Sequence, residues 1–106
     1  MAGRVQLIYS THPSPGQARA TARALVEEKL AACCNLIPGM ESIYRWEGKL
    51  EQAAETVLIS KTTEARAAEV VARIRALHPY EIPAILVLPV GGGDADFLGW
   101  IESGCR

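Results

Sequence analysis

The stretch from Ser42 to Lys61 constrains the fold of this chain more than any other part of the sequence. It consists of Ser-Ile-Tyr-Arg-Trp, the pair Glu47-Gly48, and a second extended run that contains Thr-Val-Leu-Ile-Ser. β-Branched and aromatic residues on both sides of a two-residue turn with glycine predict a β-hairpin. Its first arm begins at Cys33. Because proline cannot donate to a ladder, Pro38-Gly39 predicts a bulge or bend within this arm.

The predicted hairpin is too long for a domain of this size. Fourteen residues from Cys33 to Trp46 would extend about 45 Å at about 3.3 Å per residue, whereas a compact domain of 106 residues is roughly 35 Å across. An isolated two-stranded ribbon is marginally stable, and its edges and aromatic side chains need cover. We therefore expect a homo-oligomer closed by pairing of these edges, with Ile43, Tyr44, Arg45 and Trp46 at the interface. The alternative is a ribbon that folds back over its own sheet at Pro38-Gly39.

The residues before the hairpin predict a strand and an amphipathic helix. Val5–Thr11 is short, apolar and β-prone. Ser14 is a candidate N-cap, with Pro15 at the first helical position and Gln17 where a capping box places a glutamine. The apolar positions that follow recur at helical spacing, namely Ala18, Ala22, Leu25, Val26 and Leu30.

The residues after the hairpin predict a second helix and a further strand. Thr62 or Thr63 is the candidate N-cap, and Ala67, Val70, Val71, Ile74 and Leu77 form the apolar stripe. His78-Pro79 ends the helix, because the residue before proline is disfavoured in the helical region. The run Ala84–Leu88 is almost wholly apolar, which predicts a central strand.

The resulting element order is βαββαβ, followed by a short C-terminal helix for which Asp94 or Asp96 is the candidate N-cap. This order predicts an α+β, ferredoxin-like fold: an antiparallel sheet with two helices on one face. At 106 residues a second core would be too small, so residues 1–106 are expected to form one domain.

Composition excludes several classes of partner. The formal net charge is −1 and no basic stripe is present, so we expect neither nucleic acid nor membrane binding. The N-terminus has no signal-peptide pattern. Three cysteines, Cys33, Cys34 and Cys105, are an odd count that does not form a disulfide framework. Free thiols suit a reducing compartment, which predicts the cytoplasm.

The junction between the second helix and the last strand carries most of the candidate chemistry. An imidazole, a phenol and a carboxylate follow one another at His78, Tyr80 and Glu81. This mixture suits a polar pocket or a metal-ligand set. The alternative is a histidine ring that caps the C-terminus of the helix. Elsewhere, Lys61 could face a pocket or solvent, and Glu55 could be an edge charge.

The sequence contains no pattern that predicts an enzyme. Ser10-Thr11-His12 lacks a nucleophile elbow, and no acid–base pair can be assigned. The glycine-rich loop before Asp94 lacks the lysine of a phosphate-binding loop and the spacing of a dinucleotide fingerprint. A binding role is therefore expected.

Together, these segments closely resemble the CutA divalent-cation-tolerance family, in order and over essentially the whole chain. Two specific blocks carry the resemblance: Tyr44-Arg45-Trp46-Glu47-Gly48 and His78-Pro79-Tyr80-Glu81-Ile82-Pro83. Further matching segments are Glu28–Cys33, Asn35–Gly39, Lys61-Thr62, Leu88-Pro89 and Leu98-Gly99-Trp100.

The resemblance implies a ferredoxin-like homotrimer assembled through the long hairpins and associated with tolerance to copper and other divalent cations. It does not imply a known reaction. In that family a cysteine of the first strand and two histidines before the Pro-Tyr have been linked to copper. Here Ser10 replaces that cysteine and Leu77 replaces the first of the two histidines, so that only His78 remains. A weaker site would use His78 with Glu55 or Glu81, which a neighbouring subunit could supply.

Two functions follow as hypotheses. The first is a homotrimer that responds to metal ions and binds copper or another divalent cation weakly near subunit interfaces, with no other cofactor. The second, based on a fold-level analogy, is a trimeric sensor or signalling protein of the PII type. Its inter-subunit clefts would bind a metabolite and be lined by Trp46, Lys61, His78 and Tyr80.

Overall fold

The computed structural model describes residues 4–105 and has an α+β, ferredoxin-like architecture. The element order is β-α-β-β-α-β-α, as the sequence predicts. The elements are β1 (Val5–His12), α1 (Pro15–Glu27), β2 (Cys33–Trp46), β3 (Lys49–Thr63), α2 (Ala67–Leu77), β4 (Ile85–Pro89) and α3 (Ala95–Gly104). Within residues 4–105, no helix is long and apolar enough to cross a membrane.

The four strands form one antiparallel sheet in the order β2-β3-β1-β4. The prediction that the last strand is central is wrong, because β4 lies at an edge beside β1. Its side chains Leu86, Val87 and Leu88 are between 44% and 59% exposed. An apolar run indicates a surface that requires cover, but it does not tell which chain or layer supplies that cover.

The main core lies between the sheet and the first two helices. Ile8 of β1, Leu25 of α1, and Val70 and Ile74 of α2 are fully buried in one cluster. A smaller cluster joins Val5 of β1 to α3 and the residue that follows it, through Ile101 and Cys105. Both clusters lie within a single chain and need no partner.

The N-cap predictions have mixed outcomes. The Ser14 Oγ accepts the Gln17 amide hydrogen at 3.1 Å, and an Asp94 carboxylate oxygen accepts that of Phe97 at 3.0 Å, so these caps are confirmed. The prediction that Thr62 or Thr63 caps the second helix is wrong. Strand β3 continues to Thr63, because it pairs with β1 as far as Val5. Instead, α2 begins after Arg66, whose side chain makes no capping bond.

The first helix ends earlier than its apolar stripe predicts. It stops at Glu27, and Lys29 adopts a φ of 60° in the left-handed region. The chain therefore leaves the helix before Leu30, although Leu30 still packs against the main core. The apolar stripe identified a buried residue correctly, but not its secondary structure.

The hairpin is a continuous ribbon with a tight turn and one bulge. Glu47 and Gly48 both have positive φ, at 50° and 78°, as a type I′ turn requires. The register shifts by one residue between Ile37 and Met40, and Gly39 has a φ of 80°. This shift confirms a bulge at Pro38-Gly39.

The ribbon elongates the molecule. The longest dimension of the chain is 45 Å and its radius of gyration is 14.2 Å, compared with about 13 Å expected for a compact domain of this length. Large apolar side chains of the ribbon stay in solvent, with Ile43 69% and Leu50 72% exposed. Within one chain, therefore, the ribbon does not fold back over its own sheet.

Candidate functional site

A cavity of about 680 Å³ lies between the ribbon and the loop that joins α2 to β4. The ribbon contributes Tyr44, Trp46 and Glu55, and the loop contributes Tyr80 and Glu81. The remaining lining residues are Tyr9 and Thr11 of β1, Ser42 and Ile43 of β2, and Pro79, Ile82 and Ala84.

Strand alternation explains how the ribbon forms one wall. Ser42, Tyr44 and Trp46 are two residues apart, so their side chains share a face of β2. Glu55 of β3 pairs with Met40 in register, which places it on the same face, next to the bulge. Once the register of β2 and β3 is known, the sequence shows that Tyr44, Trp46 and Glu55 share one face of the ribbon.

Glu55 is the buried acid of the cavity, with 7% of its surface exposed. The Tyr80 hydroxyl lies near the Glu55 side chain. Burial, as the main cause, and the nearby Glu55 charge raise the pKa of Tyr80 above its ordinary value. Tyr80 therefore stays protonated at neutral pH, with its hydroxyl near the carboxylate.

His78 lies behind Tyr80 rather than in the wall of the cavity. Its Nε2 is 2.7 Å from the carbonyl oxygen of Thr11, and its Nδ1 accepts the Tyr80 amide hydrogen at 3.1 Å. Since a carbonyl only accepts, Nε2 carries the proton and the ring is the neutral Nε2–H tautomer. The imidazole contacts the Tyr80 ring in a tilted arrangement, with 4.7 Å between ring centroids and 58° between the ring planes. Its ring thus positions the phenol of Tyr80.

A second buried histidine lies next to His78. The His12 ring centroid is 4.8 Å from that of His78, and Ser10 Oγ is 2.8 Å from His12 Nε2. The Gln17 amide nitrogen donates to the Leu77 carbonyl oxygen, so its Oε1 accepts from His12 Nδ1. His12 Nε2 therefore accepts the Ser10 hydroxyl hydrogen. Burial is the main cause that lowers the pKa of His12.

The serine, histidine and amide are arranged in the order of a nucleophile, a base and an orienting group. Sequence reasoning missed this set, although the spacing of Ser10 and His12 already puts both on one strand face. Both residues are fully buried, so a substrate cannot reach the hydroxyl. The arrangement ties β1 to the start of α1 and the end of α2 and is best described as structural.

The structure brings together some of the predicted site residues and separates others. Glu55, Glu81, Tyr80 and Trp46 line one cavity. Lys61 is elsewhere: its Nζ donates to Asn35 Oδ1 and lies 5.6 Å from the centroid of the Phe97 ring. Of the predicted interface residues, Ile43 is 69% exposed, Tyr44 43% and Trp46 39%, and the Arg45 guanidinium donates to the Gly48 carbonyl at 3.3 Å.

Comparison with known proteins gives a consistent match over almost the whole chain. The family profile described as CutA1 divalent ion tolerance protein matches residues 6–104. The chain belongs to the CutA1 family. The divalent-cation tolerance protein CutA of Thermus thermophilus is 44% identical over 97 residues, which cover 92% of this chain and 94% of that protein.

Solved structures of CutA proteins agree with this assignment. CutA of Xylella fastidiosa is 39% identical, with a TM-score of 0.95 over 97% of this chain and 99% of that one. The CutA of Archaeoglobus fulgidus, named a periplasmic divalent cation tolerance protein, is 40% identical, with a TM-score of 0.93 over 96% of this chain and 99% of that one. The resemblance based on the motifs is thus confirmed.

The side chains of one copy do not fit a tight metal centre. Within residues 4–105, no three His, Cys, Asp or Glu side chains form a group that could hold a metal ion. In His78, both ring nitrogens are engaged, so one hydrogen bond must break before the imidazole can bind a metal. Ser10, at one position where this CutA1 chain departs from the metal-linked pattern, offers a hydroxyl that already bonds to His12. That His78 binds a metal stays a prediction.

Proposed function

We propose that this CutA1 chain works as a homotrimeric divalent-cation-tolerance protein that binds cations weakly in clefts between copies. The observation that carries the proposal is the buried Glu55 carboxylate, which faces a cavity shared with Glu81 and not lined by any lysine or arginine among residues 4–105. The matching relatives are named for divalent cations, so we favour this function over a signalling trimer of the PII type.

The exposed ribbon supports assembly of several copies. Ile43 and Leu50 are large, apolar and about 70% exposed. The outer strands of the sheet are β2 and β4, and no further strand among residues 4–105 pairs with their outer edges. Covering such surfaces with a second copy satisfies backbone groups and removes apolar area from water. Edge pairing that closes into a ring of three would leave no ribbon uncovered.

The proposed ligands are the carboxylates of Glu55 and Glu81. Oxygen ligands suit hard divalent cations, whereas tight copper sites draw on thiolate and free imidazole ligands. With two carboxylates per chain, the site is weak and gains further ligands from a neighbouring copy. In this proposal His78 contributes by positioning Tyr80, and copper binds weakly.

Calorimetric titration with Mn²⁺ and Cu²⁺ tests the ligand assignment. We expect Glu81→Gln and Glu55→Gln each to weaken Mn²⁺ binding about tenfold or more, since each removes a charged oxygen ligand. Glu27→Gln, at an exposed position on α1, is the matched control and should bind as the wild type does. Equal affinities in all four proteins would overturn the assignment.

His78→Ala separates coordination by the imidazole from its positioning role. If the ring only positions Tyr80, this variant should keep most of its Mn²⁺ affinity and most of its weak Cu²⁺ affinity. A selective loss of Cu²⁺ binding would show that the imidazole coordinates copper and would contradict the positioning role.

Sedimentation velocity tests the trimer. The wild type should sediment as a species with three times the chain mass of 11.4 kDa. The double variant Ile43→Asp, Leu50→Asp should sediment as a monomer, because buried unpaired charges oppose association. Arg19→Asp, on the exposed face of α1, is the control and should leave the trimer intact. A wild type that sediments as a monomer at micromolar concentration would contradict the proposal.

We further propose that residues 1–106 act as one domain with a binding role and no catalysis, in the cytoplasm. Because the Ser10 hydroxyl is buried, a substrate cannot reach it, and this supports a binding role over a catalytic one. Three free cysteines support a reducing compartment. Fractionation of the source cells with an antibody to the chain would place it, and recovery outside the cytoplasm would contradict this location.

A further inference from the structure

We propose that the same cavity binds a primary organic ammonium cation, held by the Glu55 carboxylate and by the aromatic rings of Tyr44, Trp46 and Tyr80. The inference rests on the proposed function in one respect: both place a cation next to Glu55. It differs in the kind of cation, which is an organic ammonium ion and not a divalent metal ion. It also assigns a role to the aromatic walls of the cavity as well as to its acids.

The walls are those of an organic-cation site. Trp, Tyr and Phe faces attract cations through their ring quadrupoles, and this attraction grows when the cation is partly desolvated. Four such rings line this cavity, and those of Tyr44, Trp46 and Tyr80 are each between 39% and 43% exposed in the single chain. A small hydrated metal ion retains its water and gains little from an aromatic face, whereas an alkylammonium group can lie against it.

The charge of the cavity matches a cation. Glu55 and Glu81 are its acidic lining residues, and no basic residue lines it among residues 4–105. Two nearby arginines turn their guanidinium groups to backbone oxygens: Arg45 to the Gly48 carbonyl and Arg75 to the Glu81 carbonyl, at 3.3 and 3.2 Å. Neither lines the cavity. The loop is held in place by Arg75, and the carboxylates face the cavity.

Glu55 has capacity for a ligand that donates hydrogen bonds. An ionised carboxylate offers about four lone-pair sites, and the nearby Tyr80 hydroxyl can supply at most one donor. An ammonium group carries three donors, so it can bond to Glu55 while its hydrocarbon part contacts Pro79, Ile82 and Ala84 of the opposite wall. The buried acid would then gain the counter-charge that buried ions require.

The size of the cavity also favours an organic ligand. Its 680 Å³ falls in the range of about 300–1,000 Å³ that is usual for small-molecule sites. The cavity is bordered by apolar and aromatic surface, which a ligand with a hydrocarbon body would cover.

The test compares phenethylammonium chloride with 2-phenylethanol, which has nearly the same shape and no charge. Both are titrated at neutral pH into the full chain in a Trp100→Phe background. The protein has two tryptophans, so Trp46 is then the sole indole and its fluorescence reports on the cavity. We expect phenethylammonium to bind with a Kd of about 1 mM or tighter and at least tenfold more tightly than the alcohol.

Two variants test the two parts of the site. Glu55→Gln keeps the shape of the cavity and should weaken phenethylammonium at least tenfold, with the alcohol unchanged. Trp46→Leu, measured by calorimetry, should weaken phenethylammonium several-fold and leave Mn²⁺ binding within about twofold. If Trp46→Leu alters the sedimentation of the protein, Trp46→Phe replaces it and should retain most of the affinity.

The outcomes separate this inference from the proposed function. Equal binding of the ammonium and the alcohol, or no binding of either, would overturn the inference, whatever Mn²⁺ does. Ammonium binding that depends on Glu55 in a protein without affinity for Mn²⁺ or Cu²⁺ would support the inference and overturn the divalent-cation site.

Discussion

The two ends of the sheet differ in how completely one chain satisfies them. Where α1 and α2 cover the sheet, Ile8, Leu25 and Ile74 are fully buried in a closed core. In the ribbon, residues of equal hydrophobicity such as Ile43 and Leu50 are mostly exposed. Equally apolar side chains occur in both regions, so the difference lies in the source of the cover. The helices supply it at one end, and we infer that other copies supply it at the other.

The largest expected effect comes from a matched pair of isoleucine truncations. Ile74→Ala removes a fully buried side chain and should lower the free energy of unfolding by about 2–5 kcal/mol per chain. Ile43→Ala removes a side chain that is 69% exposed in the single chain and should act mainly by weakening association. Chemical denaturation of both variants at two protein concentrations checks this. Equal, concentration-independent losses would remove the distinction between the regions.

A pH effect of intermediate size should be confined to the helix-covered region. Burial lowers the pKa of His12 in the folded chain, so below the unfolded value of about 6.5 the unfolded state binds a proton that the folded state rejects. Stability should therefore be full above about pH 6.5 and fall as the pH decreases, by at most about 1.4 kcal/mol per pH unit from this residue. Urea denaturation between pH 5 and 7.5 measures this slope.

The control for the pH effect is His12→Asn, which lacks the titrating ring. Its stability should depend less on pH over the same interval, although its absolute value falls because the bonds to Ser10 and Gln17 change. The same slope in the variant and in the wild type would show that another group is responsible.

The smallest expected effect lies at the tip of the ribbon. Glu47 has a φ of 50°, a region that costs a residue with an ordinary side chain about 1 kcal/mol and that asparagine tolerates better. Glu47→Asn should therefore raise the free energy of unfolding by about 0.5–1 kcal/mol. Glu51→Asn, in the exposed part of β3, is the control and should not stabilise the chain. A loss of stability in Glu47→Asn would contradict the turn assignment.

The parts of the fold that depend on local sequence could be predicted. The Glu47-Gly48 turn, the bulge at Pro38-Gly39 and the Ser14 cap each follow from the conformational limits of a few neighbouring residues. The edge position of β4 could not, because its apolar composition reflects burial but not which neighbour provides it. The start of α2 was also mispredicted, since pairing with β1 extends β3 through Thr62 and Thr63.

The candidate site shows the same limit. The motif around His78 pointed to a polar pocket, and Tyr80 and Glu81 do line the cavity. Their meeting with Glu55 depends on the register of β3, and the placing of His78 behind Tyr80 depends on the carbonyl of Thr11, 67 residues away. The bond of Gln17 to Leu77 spans 60 residues. Patterns within a few residues do not contain such contacts.

Hydrogen–deuterium exchange of the wild type and of the Ile43→Asp, Leu50→Asp variant tests the central claim most directly. In the wild type, we expect protected amides both in residues 41–54 of the ribbon and in the helix-covered strand β1. In the variant, residues 41–54 should exchange quickly while β1 stays protected, because its core is complete in one chain. Equal protection of the ribbon in both proteins, or its loss in the wild type, would contradict the claim that other copies complete it.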